Sequence, residues 1–390
     1  TPAKPHYQSI SKRWNMKQFD SIVIGLGGMG SAAVCELARR GQHVVGIEQF
    51  SFGHALGSSH GQSRIIRQAY FEHPDYVPLL QAAYAGWERL ATTTDEEIIN
   101  LCGLLLAGPA EGEVVAGTHE AATRHELPLE TLSRAAALTR FPDLRIPAND
   151  TILHDPLGGY LRVEACVKAH LNDARDHGAT LFENEPVLDW QAEGSGVVVR
   201  TAHREFRADR LVLCAGAWAK QVMTSLDLPL VVRRMVTAWF PTTTSNFRQE
   251  KGFPVFAFQT SDGFFYGFPQ LDGRGIKIAC HEPGDVVVDP ANVDRVLSAA
   301  DTAPLQAFVR KYLSDVDPNP SDGSVCLYTM SPDEHFIVDI HPTYPQVCFA
   351  AGFSGHGFKF CPVIGAILAD LAIDGQTSFP AEFLRVGRLG

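Results

Sequence analysis

FDSIVIGLGGMGSAAVCELARRGQHVVGIEQ, residues 19–49, is the stretch on which the rest of the chain hangs. It opens with Ser21–Ile24, an apolar, β-branched run suited to burial on both faces of a parallel sheet. Gly25-x-Gly27-x-x-Gly30 follows at once and leads into Ala32, Ala33, Cys35, Glu36, Leu37 and Ala38, residues that favour a helix, with Gly41 as its stop. A second apolar strand then ends at Glu48, 18 residues beyond Gly30. The unit reads as β-α-β. Its glycines permit a tight turn and close approach of a pyrophosphate, the helix N-terminus offers a positive dipole end, and Glu48 can accept from ribose hydroxyls. Dinucleotide binding follows, without a choice between NAD and FAD.

Further along, residues 163–190 read as a helix, a Gly178 cap and a strand, and 197–219 as a hairpin followed by the buried strand Leu211–Cys214. Residues 346–375 give a strand, the loop GFSGHGFK and a helix. Strands this far apart can share one parallel sheet, with their carboxyl ends on a common ligand-binding edge. The intervening segments differ. FPVFAFQTSDGFFYGFP (253–269) carries alternating aromatics and an Asp-Gly hairpin signal, which predicts a mostly antiparallel second unit. The expected fold class is α/β: a Rossmann domain over residues 19–100, 157–230 and 335–390, interleaved with an α+β substrate domain over 101–156 and 231–334. Residues 1–18 are polar, patternless and expected to be an extension.

Composition narrows the function classes. With 33 Lys and Arg against 44 Asp and Glu, the formal charge is −11, the wrong sign for a nucleic-acid face. No apolar run reaches the roughly 20 residues of a membrane span, and no signal-peptide pattern is evident. Eight cysteines lie scattered, with no CxxC and no metal-ligand spacing, which predicts a reducing, cytoplasmic setting and no metal site.

GSSHGQSRIIRQAY (57–70) sets Arg64 and Arg67 three apart in a stretch too polar for a core. On composition alone it reads as a solvated turn. By the same local logic Lys277, alternating with Ile276 and Ile278, reads as a residue of an exposed strand face, and each cysteine as a small buried hydrophobe.

Taken together, the glycine unit with Glu48, GSSHGQSRIIRQAY, YGFP (266–269), GIKIACH (275–281), VCLYTMSPDEHFIVDIHP (325–342) and AAGFSGHGFKF (350–360) resemble the monomeric sarcosine oxidase and N-methyltryptophan oxidase family of flavoproteins. The resemblance runs from about residue 18 to about residue 385. It implies a glutathione-reductase-type FAD domain and a monomer. FAD would be carried through a thioether on Cys326 and contacted by Gly25, Gly27, Gly28, Met29, Gly30, Glu48, Ser63, Arg64, Val187, Gly352, Gly355, His356, Gly357, Phe358 and Lys359. The glycines of the 352–359 loop would let the backbone lie against the flavin edge. Arg67 and Lys359 would grip a substrate carboxylate, Tyr266 and Tyr328 would line the cavity, and His281 would stand near the amine. His60 and Arg64 would tune the ring, and Lys277 would supply the positive charge that assists dioxygen reduction.

The implied reaction is oxidation of a secondary N-methyl amino acid by dioxygen, giving the demethylated amino acid, formaldehyde and peroxide. The reactive amine is neutral, so the rate is expected to rise with pH. Sarcosine-specific relatives carry a methionine where this chain has Ala257 and Phe258, which hints at a bulkier substrate, an N-methylated aromatic amino acid or a cyclic imino acid such as pipecolate or proline. An FAD amine dehydrogenase with another electron acceptor, and a non-catalytic FAD- or NAD-binding module, are the alternative readings.

Overall fold

The computed structural model describes residues 18–282 and 284–390. The expected N-terminal extension lies outside the described residues except for Gln18, which opens the first strand, Gln18–Ile24. A buried eight-stranded sheet carries the strands Thr180–Phe182, Val44–Ile47, Gln18–Ile24, Glu205–Leu213 and Val347–Ala351 in that spatial order, each parallel to its neighbour. The strands expected at 21–24, 211–214 and 346–351 therefore do lie together, with their carboxyl ends on one edge. The first half of Glu205–Leu213 also pairs with the antiparallel hairpin Val187–Glu193 and Gly196–Thr201. Helices Gly28–Arg39 and Cys361–Asp374 cross so closely that a Cβ on Gly365 would meet the Ala32 backbone at 2.7 Å. Gly41, with φ +79°, ends the first helix as expected.

A second, nine-stranded sheet is antiparallel except where Leu104–Gly108 runs parallel to Val255–Thr260. Its centre is a run of aromatic pairs, with Phe256, Phe258, Phe265 and Phe308 buried on one face. The hairpin Val255–Thr260 and Gly263–Phe268 is present, but its turn is one residue earlier than the Asp-Gly signal suggests: Thr260 pairs with Gly263, leaving Ser261 and Asp262 as the loop. The long strands Val231–Phe240 and Asp322–Met330 pair over nearly their whole length, and Ile276–Cys280 lies on the other side of the first.

A small third sheet pairs Ser63–Ile66 with Gly159–Arg162 antiparallel. Residues 57–70 are thus not a solvated turn. Among the described residues no helix is long and apolar enough to cross a membrane.

Candidate active site

A cleft of about 400 Å³ runs along the carboxyl edge of the parallel sheet. Its floor is the glycine turn. A Cβ on Gly30 would fall 1.7 Å from the Gly25 carbonyl oxygen, so that glycine is required by helix–strand contact. Gly27 is different: a Cβ there would meet nothing closer than Ser59 Oγ at 3.5 Å, and the space it would fill belongs to the cleft. The cradle is open on the side a pyrophosphate would approach.

Glu48 is buried at the wall of this cleft. Its Oε2 accepts from Leu26 N at 2.8 Å and its Oε1 from Phe50 N at 3.1 Å, which fixes the carboxylate while leaving lone pairs for hydroxyl donors. Ser59 Oγ accepts from Gly28 N at 2.9 Å and so tethers the 57–64 segment to the helix N-terminus. Met29, Val187, Arg64, Tyr328, Gly352, Gly355, Gly357 and Phe358 line the same cleft. So do Ala215 and Trp218, which sequence reading did not single out. Thr329 Oγ1, on a cleft-lining residue, and Ser63 Oγ are both buried without a hydrogen-bond partner among the described residues. Orphaned hydroxyls at such a site suit a polar ligand.

The glycines of the 352–359 loop answer to the protein itself as well. A Cβ on Gly355, whose φ is +83°, would strike the Tyr328 ring at 2.1 Å, and one on Gly357 would strike Phe353 at 2.4 Å. Glycine here lets the loop press flat on Tyr328, so both reach the cleft.

Lys277 is 2% exposed, not a residue of a solvated face. The face opposite Ile276 and Ile278 packs on the 61–63 loop, where Lys277 Nζ donates to the carbonyls of Gly61 and Ser63 at 2.8 Å each. Burial, and then the Arg64 guanidinium, push this ammonium well below its ordinary pKa. The Phe268 ring, 4.3 Å from Nζ, partly compensates by cation–π attraction. Arg64 is held by the Ser63 and Ser58 carbonyls. His60 is buried with Nε2 3.1 Å from the Gly57 carbonyl; burial, and then Arg64, lower its pKa to about 4, leaving it neutral at pH 7.

The two expected carboxylate-gripping cations converge. Arg67 lies 4.3 Å and Lys359 5.1 Å from the centroid of the buried Tyr70 ring, one presenting its guanidinium carbon and the other its Nζ. Arg67 already holds a carboxylate: its Nη2 donates to both oxygens of Glu72 at 2.6 Å. Burial alone would raise the Glu72 pKa, but Arg67, His356 and Lys359 bring it to about 2. His356 does not line the cleft; its Nδ1 sits 2.5 Å from Tyr70 Oη, and its carbonyl accepts from Lys359 Nζ at 2.7 Å. Tyr266 Oη and Tyr328 Oη lie 3.3 Å apart, and the half-buried His281, its pKa lowered by burial, packs against both rings. Cys326 is buried with Met235, Tyr328 and Met330. It is not in the cleft wall, although it shares a strand face with Tyr328, which is.

Lys359 yields a pH prediction. Burial, and then Arg67, lower its pKa to about 7, so the cationic form is lost as pH rises through that value. Binding of a simple carboxylate such as acetate, measured by inhibition at constant ionic strength, is expected to weaken by up to about tenfold per pH unit above pH 7. In Lys359→Met that slope should flatten.

Comparison with known proteins gives the geometry its context. Residues 20–371 match the family model described as FAD dependent oxidoreductase. The monomeric sarcosine oxidase of Streptomyces avermitilis is 41% identical over 378 residues, covering 95% of this chain and 98% of that one. This chain belongs to the monomeric sarcosine oxidase and N-methyl-L-tryptophan oxidase family. A monomeric sarcosine oxidase from a Bacillus species is 36% identical over 95% of this chain and 96% of its own, and the N-methyl-L-tryptophan oxidase of Salmonella agona is 33% identical over 95% and 99%. Among solved structures, NikD, described as an unusual amino acid oxidase, superposes with a TM-score of 0.83 at 24% identity over 95% of this chain and 98% of its own. Glycine oxidase from Geobacillus kaustophilus gives 0.79 at 22% over 95% and 98%, a likeness of fold.

As a member of this family the chain is an FAD-dependent oxidoreductase, and the cleft fits that cofactor: an open pyrophosphate cradle at Gly27, an anchored acid at Glu48 and an unpartnered hydroxyl on the lining residue Thr329. Sequence reading missed Glu72 and Glu164. Glu72 had a local signal, a carboxylate five residues from Arg67 in SRIIRQAYFEH. Glu164 had none, since its partners lie about a hundred residues away, in the loop at Gly61 and Gln62.

Proposed function

We propose that this protein oxidises a secondary amino acid at its C–N bond, gripping the substrate carboxylate between Arg67 and Lys359, with FAD attached through Cys326 and dioxygen as electron acceptor. The observation that carries the reading is the convergence of both cations over the Tyr70 ring, where Glu72 already occupies Arg67 as a carboxylate would. Glu72 stands in for the substrate's own acid group. A substrate carboxylate exchanges one charge-assisted partner for another on Arg67 and gains Lys359 as well.

Bound FAD supplies the two-electron acceptor for the amine and the electron source for dioxygen. The protein's residues do the rest. Arg67 and Lys359 fix the α-carbon, which is positioning catalysis. His281, kept neutral by burial, places no positive charge beside an amine that must itself be neutral to react. Lys277 presents a buried cation where negative charge develops on oxygen.

The substrate we propose is larger than sarcosine, an N-methylated or cyclic amino acid. Ala257 pairs directly with Tyr266 across the hairpin, so the two share a face. Phe258, which could have refilled the space, pairs with Phe265 and packs on Phe308 and Tyr312 on the opposite face. An oxygen-uptake panel of sarcosine, N-methyl-L-tryptophan, pipecolate and L-proline, with peroxide measured alongside, tests this. A bulky substrate is expected to give the highest kcat/KM; preference for sarcosine would reject the size argument, and turnover without peroxide would reject the oxidase reading.

Arg67 also lies over the Phe71 ring, 4.2 Å from its centroid. A lysine cannot reproduce the stacked, planar guanidinium or its separate bond to the Ala69 carbonyl. Arg67→Lys is expected to lower kcat/KM by about 10–100-fold, the value of a charge-assisted bond, with most of the loss in KM.

A further inference from the structure

The loop Gly61–Ser63 lies between two oppositely charged side chains. On one side Lys277 Nζ donates to the Gly61 and Ser63 carbonyls. On the other, Glu164 accepts from Gly61 N at 2.6 Å and, through both oxygens, from Gln62 N at 3.2 Å. The backbone between them is unusual: Gly61 has φ +89° and Gln62, which is not a glycine, has φ +75°. A residue held in the left-handed region persists only where its surroundings fix it, and here both amide donors are tied to one carboxylate. Glu164 sits in the first turn of helix Val163–Asp176, a favourable place for an anion. Its charge also acts on His60, Arg64 and Lys277.

We propose that Glu164 is a positioning residue for Lys277: it fixes Gly61 and Gln62 so that two carbonyls meet the buried ammonium. The proposal rests on the reading of Lys277 given above. The groups facing Lys277 are Arg64, Arg274, Cys326 and Glu164, with the rings of Phe268 and Trp239 beside it. Arg64 and Arg274 disfavour the cation, so loss of the Glu164 charge must move its deprotonation to lower pH.

The test uses the purified full chain with its flavin. Glu164→Ala should raise amide hydrogen exchange in the peptide spanning Gly61 and Gln62 by about tenfold or more, since bonds to a charged acceptor are lost. Glu164→Gln retains an acceptor oxygen, and so serves where the alanine variant does not fold; in it the high-pH fall of oxygen-limited turnover should begin at lower pH than in the wild type. Wild-type exchange in Glu164→Ala, or an unmoved pH limb in Glu164→Gln while Lys277→Met abolishes that limb, overturns the proposal. If Lys277→Met leaves oxygen-limited turnover unchanged, the reading of Lys277 fails instead, and the exchange measurement alone decides whether Glu164 holds the loop.

Discussion

Lys277→Met is expected to slow oxygen consumption at limiting oxygen by about 10²–10³-fold, the usual loss when one preorganised electrostatic stabiliser is removed. Methionine preserves the unbranched stem that passes Phe268 and Trp239 and deletes the charge together with the two hydrogen bonds to the 61–63 loop. The effect should be confined to the oxygen half of turnover. Lys277 bonds the 61–63 loop, whereas the carboxylate grip is made by Arg67 and Lys359 over Tyr70, so anaerobic bleaching of the visible spectrum by substrate should stay within a few-fold of the wild type. The pH dependence adds a second readout. Because burial lowers the Lys277 pKa, the wild-type oxygen-limited rate should fall at high pH as the ammonium is lost, and the variant should show no such fall. Equal slowing of both halves would mean that the substitution has disturbed the site as a whole.

The parallel sheet was legible because its signals are local. Strand, glycine turn and helix occupy consecutive residues in 19–49, and the strands Glu205–Leu213 and Val347–Ala351 are each followed by a glycine, Gly216 and Gly352, so the shared edge follows from topology rules. The hairpin at 253–269 was legible for the same reason, and its turn was misplaced by one residue because Asp-Gly fixes a turn only when no stronger register competes. Here the pairing of Phe256, Ala257 and Phe258 with Gly267, Tyr266 and Phe265 sets the register.

Lys277 shows where local reading stops. Strand alternation correctly places it opposite Ile276 and Ile278, yet period two does not say which face meets water. Both faces are covered, one by the aromatic core and the other by a loop more than two hundred residues earlier. The family resemblance, not the pattern, pointed to a functional lysine. Arg64 and Arg67 repeat the lesson: a polar composition suggested solvent, but strand Ser63–Ile66 pairs with Gly159–Arg162 and leaves Arg67 5% exposed. Glu72 carried only its spacing from Arg67 as a signal and Glu164 carried none, because what gives Glu164 a role, the amides of two left-handed residues, exists only in the folded chain.

Replacing Cys326 with serine is expected to move all of the yellow colour from the acid-precipitated pellet into the supernatant, an all-or-none change. The wild-type pellet should retain it. The nucleophile in thioether formation is a thiolate, and Arg64, Lys277 and Arg295 all lie within electrostatic reach of this sulfur. Arg295 is itself pinned, donating to the carbonyls of Ala55, Leu56 and Val325, which ties the strand carrying Cys326 to the cleft-lining 54–58 segment. Serine matches the shape of cysteine, but its hydroxyl ionises far less readily, so the variant should bind FAD reversibly or lose it on dialysis. Burial pushes the thiols of Cys35, Cys102, Cys166, Cys214, Cys280, Cys348 and Cys361 upward, away from the reactive form. Cys280→Ser, a change at a half-buried cysteine beside His281, should therefore leave the colour in the pellet. Colour released from the wild-type protein by acid, or retained by Cys326→Ser, would remove Cys326 as the point of attachment.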